Sequence, residues 1–213
     1  MTREQTGRMK DDLTAMWNRD ASLPAAPEFV QENAWVISSQ RGDALAFNRL
    51  VLKWESRVYN LALRMLQHPD EAAEATQEVF LSAYKSIRRF RRDAKFSTWL
   101  YRIALNHCIS RARRRPQGAH FSLDDGREGA TQADRLRASD SQEGELLRAE
   151  NRQRVRGALA FLPPEQRAVV ELKFFQEMTF DDIAAVLGVP LSTIKSRLYA
   201  ALDSLKVRLG ART

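Results

Sequence analysis

MTFDDIAAVLGVPLSTIKSRLYAALDSLKVRL, residues 178–209, sets the fold of this chain. Thr179 and Asp182 have the spacing of a capping box, with Asp in place of the usual Glu or Gln, so a helix starts just after Thr179. Ile183, Ala184 and Leu187 give that short helix a buried stripe, and small Ala184 lets a second helix cross closely. Gly188 supplies the positive φ that ends it, Val189 plugs the corner, and Ser192 is placed to cap the next helix. In that helix Ile194, Leu198, Ala201, Leu205 and Leu209 share one stripe, while Lys195, Ser196, Tyr199, Asp203 and Lys206 share the opposite side.

This is the layout of a helix-turn-helix, whose second helix presents polar residues to a DNA major groove. Lys195 suits a guanine edge or a phosphate, and Ser196 can bond either. Tyr199 can meet a thymine methyl or the backbone, and Arg197, on the flank, is placed for phosphate. A plain helical hairpin would also use a glycine corner. The joint Ala, Gly, Val and Ser pattern, with a polar outer face, favours DNA binding.

Moving toward the N-terminus, the Pro163-Pro164 corner separates expected helices at 145–161 and 164–175. Residues 117–144 are rich in Gly, Ser, Asp and Gln without apolar periodicity, and they read as a linker. Before it, Asp43 is placed to cap a helix with Leu45, Phe47, Leu50, Val51, Trp54, Val58, Leu61, Leu63 and Leu66 on a broad apolar face. Asp70 is placed to cap a second helix carrying Ala72, Ala75, Val79 and Ala83, Arg88 to Lys95 form a charged loop, and Ser97 caps a third helix that Pro116 ends. The expected architecture is all-α: a polar extension (1–27), a helical bundle (28–116), the linker (117–144) and the helix-turn-helix domain (145–213). The extension ends in ASLPAAP; KDDLTAMW within it has the makings of a short helix.

The third helix holds a second constellation. At 100° per residue, Trp99, Arg102, Asn106, Ser110 and Arg113 lie within an arc of roughly 80°, and Leu100, Ala104, Leu105 and Cys108 fill the rest of the wheel. An aromatic can stack on an unpaired base, an amide can read a base edge and arginines can hold phosphates. Lys95 and Phe96 lie just before it, in the loop. Taken singly, Trp99 could be ordinary core, His107 fits a structural role better than a ligand, and the basic run RARRR complements a helix C-terminus. Asn106 in mid-helix has no such bland explanation.

Composition agrees. The chain has 213 residues, 44% hydrophobic and 29% charged, and its formal net charge of +7 suits a polyanionic partner. Between Lys85 and Arg115 the only acid is Asp93, whereas acids outnumber bases from Gln117 to Glu150. A single cysteine excludes an internal disulfide, and His68, His107 and His120 lack metal-ligand spacing. No cofactor or metal is expected. No stretch is long and apolar enough for a membrane span or a signal peptide, so a cytoplasmic protein is expected.

DALAFNRLV, EAAEATQEVFLSAYKSIRRFRRDAKFSTWLYRIALNHC and LPPEQRAVVELKFFQEMTFDDIAAVLGVPLSTIKSRLYAALDSL together resemble the two domains of extracytoplasmic-function sigma factors of the sigma-70 family, over roughly 30–115 and 148–210. The resemblance implies a bundle called region 2 and a helix-turn-helix called region 4, which give core RNA polymerase its promoter specificity. Glu74, Gln77, Glu78 and Phe80 match positions that dock on the polymerase clamp. Lys95, Phe96, Trp99, Arg102, Asn106 and Arg113 fall on the element that melts the −10 region and captures a flipped base. Lys195, Ser196, Arg197 and Tyr199 fall on the element that reads the −35 duplex, with Ala200 standing where several relatives carry arginine. The linker resembles the segment that threads the RNA exit path, and an anti-sigma factor is implied as regulator.

Two other readings compete. A self-sufficient helix-turn-helix regulator would use residues 1–115 as a sensor or dimerisation domain, but no ligand pocket or dimer interface is legible. A nucleic-acid enzyme would need paired carboxylates or metal ligands, and the acids lie in caps and linker instead. No enzymatic activity is expected.

Overall fold

Asp43 accepts hydrogen bonds from the backbone N–H of Leu45 (2.9 Å) and Ala46 (3.1 Å), and this cap starts the central helix of the N-terminal half. The computed structural model describes residues 26–114 and 154–210, and among these every regular element is helical. The N-terminal half contains α1 (Ala26–Gln40), α2 (Ala44–Leu66), α3 (Pro69–Ser86), a 3-10 turn (Ile87–Arg89) and α4 (Phe96–Arg114). The C-terminal half contains α5 (helical over 154–160), α6 (Pro164–Val170), a π turn (Glu171–Phe175), α7 (Phe180–Leu187) and α8 (Leu191–Gly210). The linker and most of the N-terminal extension lie outside the described residues.

Helix α2 is the hub: α1, α3 and α4 all pack on it. Leu50, Leu61, Met65, Leu66, Leu100 and Leu105 are withdrawn from solvent there. Burying one such side chain contributes about 1.5–3 kcal/mol. Leu45, expected on the apolar face, is instead 72% exposed, while Ala46 and Phe47 beside it are buried. The far end of α2 closes on Gln67, which adopts a left-handed φ of 64° usually left to glycine. Its N–H donates to Leu63 O (2.8 Å) and its amide to Arg64 O (2.5 Å), so the side chain helps satisfy the open helix end.

Three expected caps are corrected. Pro69 opens α3 with His68 in the cap position, which leaves Asp70 as a first-turn charge facing the helix dipole. Helix α4 begins at Phe96, one residue before Ser97, with the Trp99 N–H donating to Lys95 O (3.2 Å). Helix α8 begins at Leu191, and the Ile194 N–H reaches Pro190 O (3.1 Å), so Ser192 lies inside the first turn. In the latter two cases the chain enters helical geometry two residues earlier than a serine cap would have it, and the serine hydroxyl no longer stands at the open end.

The expected helix 164–175 has the right extent but a different pitch, since its second part is a π turn. That turn rotates Glu171 inward to 1% exposure. The helix-turn-helix closes as read from sequence. The Thr179 hydroxyl accepts from the Asp182 N–H (3.1 Å) and donates to the Asp182 carboxylate (2.7 Å), and Gly188 sits at φ 66°. Ile194, Leu198, Ala201 and Leu205 are buried and Leu209 is half-buried.

The two halves pack on each other. Helix α4 lies against α6 and α7, and α2 lies against α6 and the π turn.

Candidate nucleic-acid interface

With its apolar side in the core, α4 presents Arg102, Asn106, Ser110 and Arg113 to the outside, and Lys95 is exposed just ahead of it. Trp99 is half-buried. Its ring stacks on Phe90, with centroids 4.9 Å apart and planes at 30°, and its other neighbour is Phe96 at 5.6 Å. Phe96 is corrected on two counts: it belongs to the helix, not the loop, and at 3% exposure it is packed against Trp54, Phe90 and Trp99. A ring enclosed in this way has no face to offer a base. The stack places Trp99 as the outermost plate of an aromatic pile that starts in the core. Cys108 on the inner side has its thiol pushed up to about 12, first by burial and then by the charge of Glu171, so it stays protonated.

Two of the outward arginines are engaged by the C-terminal half. Arg102 donates to the Ala185 carbonyl of α7 (2.5 Å), and Arg113 donates through Nε to the Glu165 carboxylate of α6 (2.7 Å). Beneath them lies a polar seam. The Tyr101 hydroxyl donates to Gln176 Oε1 (2.5 Å), and the Arg64 guanidinium forks onto Glu171 at 2.5 and 2.7 Å. Arg167 adds bonds to the carbonyls of Leu159 (2.8 Å) and Leu162 (3.0 Å) within its own half, and one to Met65 O across the seam. Burial raises the Tyr101 phenol well above its ordinary value, so it remains a donor.

Sequence patterning carries no sign of this seam. Arg64 and Glu171 sit 107 residues apart, and each by itself reads as a surface charge.

Glu165 carries a pH dependence. Burial pushes its carboxyl up, but hydrogen bonds from Arg113 and its own backbone, with the Arg113 charge, hold it net below the ordinary 4.5. A depressed folded-state value means the link stabilises above the ordinary carboxyl range and is lost as pH falls through the folded value. The Glu165→Gln variant is therefore expected to show a shallower acid-side decline of Tm than the parent below pH 4.5, measured by circular dichroism. Identical acid limbs would remove Glu165 from the account.

On α8, Lys195, Ser196 and Tyr199 are exposed and Arg197 is half-buried. The Ser196 hydroxyl donates to Thr193 O (3.0 Å), leaving its lone pairs outward. On α3, Glu74, Gln77 and Glu78 are exposed, whereas Phe80 is corrected to an inward residue at 9% exposure. The apolar side chains that do face out are Leu81 (59%) and Tyr84 (49%). Their spacing from Gln77 is that of one helical face, which was the signal available in the sequence.

Arg111 of α4 bonds Glu74, and this raises its own pKa. Ser82 Oγ lies 3.0 Å from His107 Nε2, and His107 Nδ1 lies 3.5 Å from Glu78. The order hydroxyl, imidazole, carboxylate is that of an acyl-transfer triad. Ser82 is mid-helix, so the neighbouring N–H groups are committed to α3 and none is left to hold an oxyanion. The trio works as a brace between α3 and α4. Among the described residues no group of three or more His, Cys, Asp or Glu is placed to hold a metal, and no helix is long and apolar enough to cross a membrane.

Comparison with known proteins defines the class. The Sigma-70 region 2 family matches residues 50–116, and the Sigma-70, region 4 family matches residues 152–205. The chain is 34% identical to the RNA polymerase sigma-H factor of Pseudomonas aeruginosa, over 82% of this chain and 92% of that one. It is 32% identical to the ECF RNA polymerase sigma factor SigW of Bacillus subtilis, over 80% and 92% respectively. Among solved structures, CnrH in complex with the cytosolic domain of CnrY superposes with a TM-score of 0.62 at 21% identity, over 86% of this chain and 99% of that one. RpoE in complex with the anti-sigma factor NepR from Bartonella quintana gives 0.58 at 21% identity, over 78% and 98%. The chain belongs to the sigma-70 family and, within it, to the extracytoplasmic-function sigma factors. It is a promoter-recognition subunit of RNA polymerase, from a family that is not a class of enzymes.

Proposed function

We propose a residue-level division of labour for this sigma factor. Trp99, Arg102, Asn106 and Arg113 on α4, with Lys95 ahead of it, open and hold the −10 region. Lys195, Ser196, Arg197 and Tyr199 on α8 read the −35 duplex. Glu74, Gln77 and Glu78 on α3 dock on core polymerase, joined by exposed Leu81 and Tyr84. Phe80 and Phe96 support these faces from inside. One observation carries the reading: on α4 and α8 the polar, nucleotide-suited side chains are outward while the apolar sides are sealed in the core.

The chain is further proposed to act in the cytoplasm, to catalyse nothing alone, and to be held inactive by an anti-sigma factor, as the anti-sigma factor NepR accompanies RpoE in its solved complex. The proposed organisation is an extension (1–27), region 2 (28–116), a linker (117–144) and region 4 (145–213).

The test is initiation by core polymerase plus this chain on promoters recovered by genomic selection, with open complexes mapped by permanganate. Failure to open any recovered promoter would end the reading. Within it, Lys195→Ala is expected to weaken binding to duplex −35 DNA by about 1–3 kcal/mol, or about 5- to 150-fold. It should leave transcription from a pre-opened template intact. A −35 affinity within twofold of the parent would remove Lys195 from the reading helix.

A further inference from the structure

The exposed loop 91–95, which carries Arg91, Arg92 and Lys95 beside the α4 face, leaves the bundle at Phe90, at the end of the 3-10 turn. A helix end presents carbonyls without intrahelical donors. Ile87 O receives the Phe90 N–H (3.1 Å), and Phe90 O has no donor within the turn. Both carbonyls are met from far away in the sequence by Gln40, the last residue of α1. Its Nε2 donates to Ile87 O (3.1 Å) and to Phe90 O (2.6 Å). The two N–H bonds of one primary amide are thereby both used.

This contact fixes more than a loop end. Phe90 is the plate on which Trp99 stacks, and it also meets Phe96 edge-on. Helix α1 also packs along the 3-10 turn, and a Cβ added to Gly42 (φ 99°), just after α1, would stand 3.4 Å from the Arg88 side-chain tip. The backbone at 87–90 is therefore held by the end of α1, while the Trp99 ring stacks on the Phe90 ring. Moving Phe90 moves both the start of the basic loop and the aromatic plate offered to a base.

We propose that Gln40 is a positioning residue for capture of the opened DNA strand, acting through Phe90, Trp99 and the 91–95 loop without touching a nucleotide. The inference rests on the reading of α4 as the strand-opening helix. The chemistry needs an amide at this position. A carboxylate has the same shape but only acceptors, and it would face two carbonyl oxygens. A methionine has the same reach but no donor.

The experiment uses holoenzyme assembled from core polymerase and full-length chain, either parent, Gln40→Glu, Gln40→Met or Trp99→Ala. The probe is a fluorescent single-stranded oligonucleotide copying the non-template −10 region of a promoter whose start site was mapped with the parent holoenzyme. Affinity for core, affinity for a duplex −35 fragment and the rate of isomerisation from closed to open complex are measured alongside. Both Gln40 variants are expected to lose about tenfold in oligonucleotide affinity, as for about two lost hydrogen bonds. They should isomerise correspondingly slowly, with core and −35 affinities unchanged.

A merely structural role would lower core affinity and thermal stability together and leave no selective loss. That pattern, or oligonucleotide affinity within twofold of the parent for both variants, overturns the proposal. If Trp99→Ala loses affinity and the Gln40 variants do not, the inference about Gln40 alone is wrong. If none of the three loses affinity, the reading of α4 fails with it.

Discussion

Arg64→Met is expected to lower the thermal midpoint by about 10 °C and to expand the free protein, and Arg64→Met/Glu171→Leu is expected to recover most of the loss. The Arg64 and Glu171 side chains are 5% and 1% exposed, and the pair is bidentate. Removing one member of a buried pair leaves the other as an uncompensated charge, which costs about 3–5 kcal/mol. For a chain of this size each kcal/mol lowers Tm by about 2–4 °C. Glu171 keeps a bond from the Gln176 amide (3.0 Å), but one neutral donor does not replace a guanidinium.

The protein has a way to limit that cost. Arg64 lies in the N-terminal half and Glu171 in the C-terminal half, so parting the halves admits water to the orphaned carboxylate. The expansion seen by small-angle scattering should therefore accompany the drop in Tm. An apolar pair of similar volume removes both charges at once, which is why the double variant recovers. A single variant with Tm within 2 °C of the parent and unchanged scattering would show that the pair does not join the halves.

The same seam has a consequence for initiation. Elements at −35 and −10 lie roughly 80 Å apart along a duplex rising about 3.4 Å per base pair. Arg102 of α4 hydrogen-bonds the backbone of α7, so the proposed faces cannot reach both elements in this arrangement. On the proposed assignment of the two faces, the seam is expected to open on the promoter. A seam of charged and polar groups suits that, because its members are readily hydrated once apart. Arg64→Met holoenzyme is accordingly expected to initiate at the parental level even though its free subunit is less stable.

The second large effect is on strand opening. Trp99→Ala is expected to reduce open-complex formation by about 5- to 150-fold, the equivalent of about 1–3 kcal/mol for one base–aromatic stack. Trp99 is half-buried against Phe90, so its removal also disturbs packing. Asn106→Ala is the cleaner companion, because Asn106 is exposed and alanine favours the helix. It is expected to reduce opening about tenfold, the order of one lost base-edge contact. Core affinity should not change in either variant, and a template carrying a pre-opened bubble should restore most of the activity. Unaltered opening by Asn106→Ala would remove the amide from the melting face. Failure of the bubble to rescue Trp99→Ala would assign that loss to packing.

Much of this protein is legible in its residues alone. The alternation of Ile194, Leu198, Ala201 and Leu205 with Lys195, Ser196 and Tyr199 fixes which side of α8 faces in, because a 3.6-residue period admits one burial solution. Gly188 and the Thr179–Asp182 pair mark the corner by local chemistry alone. The Trp99, Arg102 and Asn106 arc is likewise a property of one helix.

The departures share a cause. Serines at 97 and 192 have the look of caps, but a cap depends on where the chain bends into the helix, and Lys95 and Pro190 set that bend. The resemblance counts Phe96 among the melting positions and Phe80 among the docking positions, yet both rings are buried, Phe96 against Trp54, Phe90 and Trp99 from other turns of the chain. Leu81 and Tyr84 share a helical face with exposed Gln77, a spacing legible in the sequence, but only the partner helices decide that this face stays outside, because apolar residues on a helix are expected inside.

Local sequence thus determined the helices, the corner between α7 and α8, and the two polar faces, since each depends on contacts within a few residues. Tertiary structure alone decided that Gln40 holds Phe90, that Arg64 meets Glu171, and that Arg102 and Arg113 are engaged by the other half. These bonds join atoms 50 to 107 residues apart in the chain. A residue's own neighbourhood carries no information about such partners, because they meet only after packing has brought separate helices together.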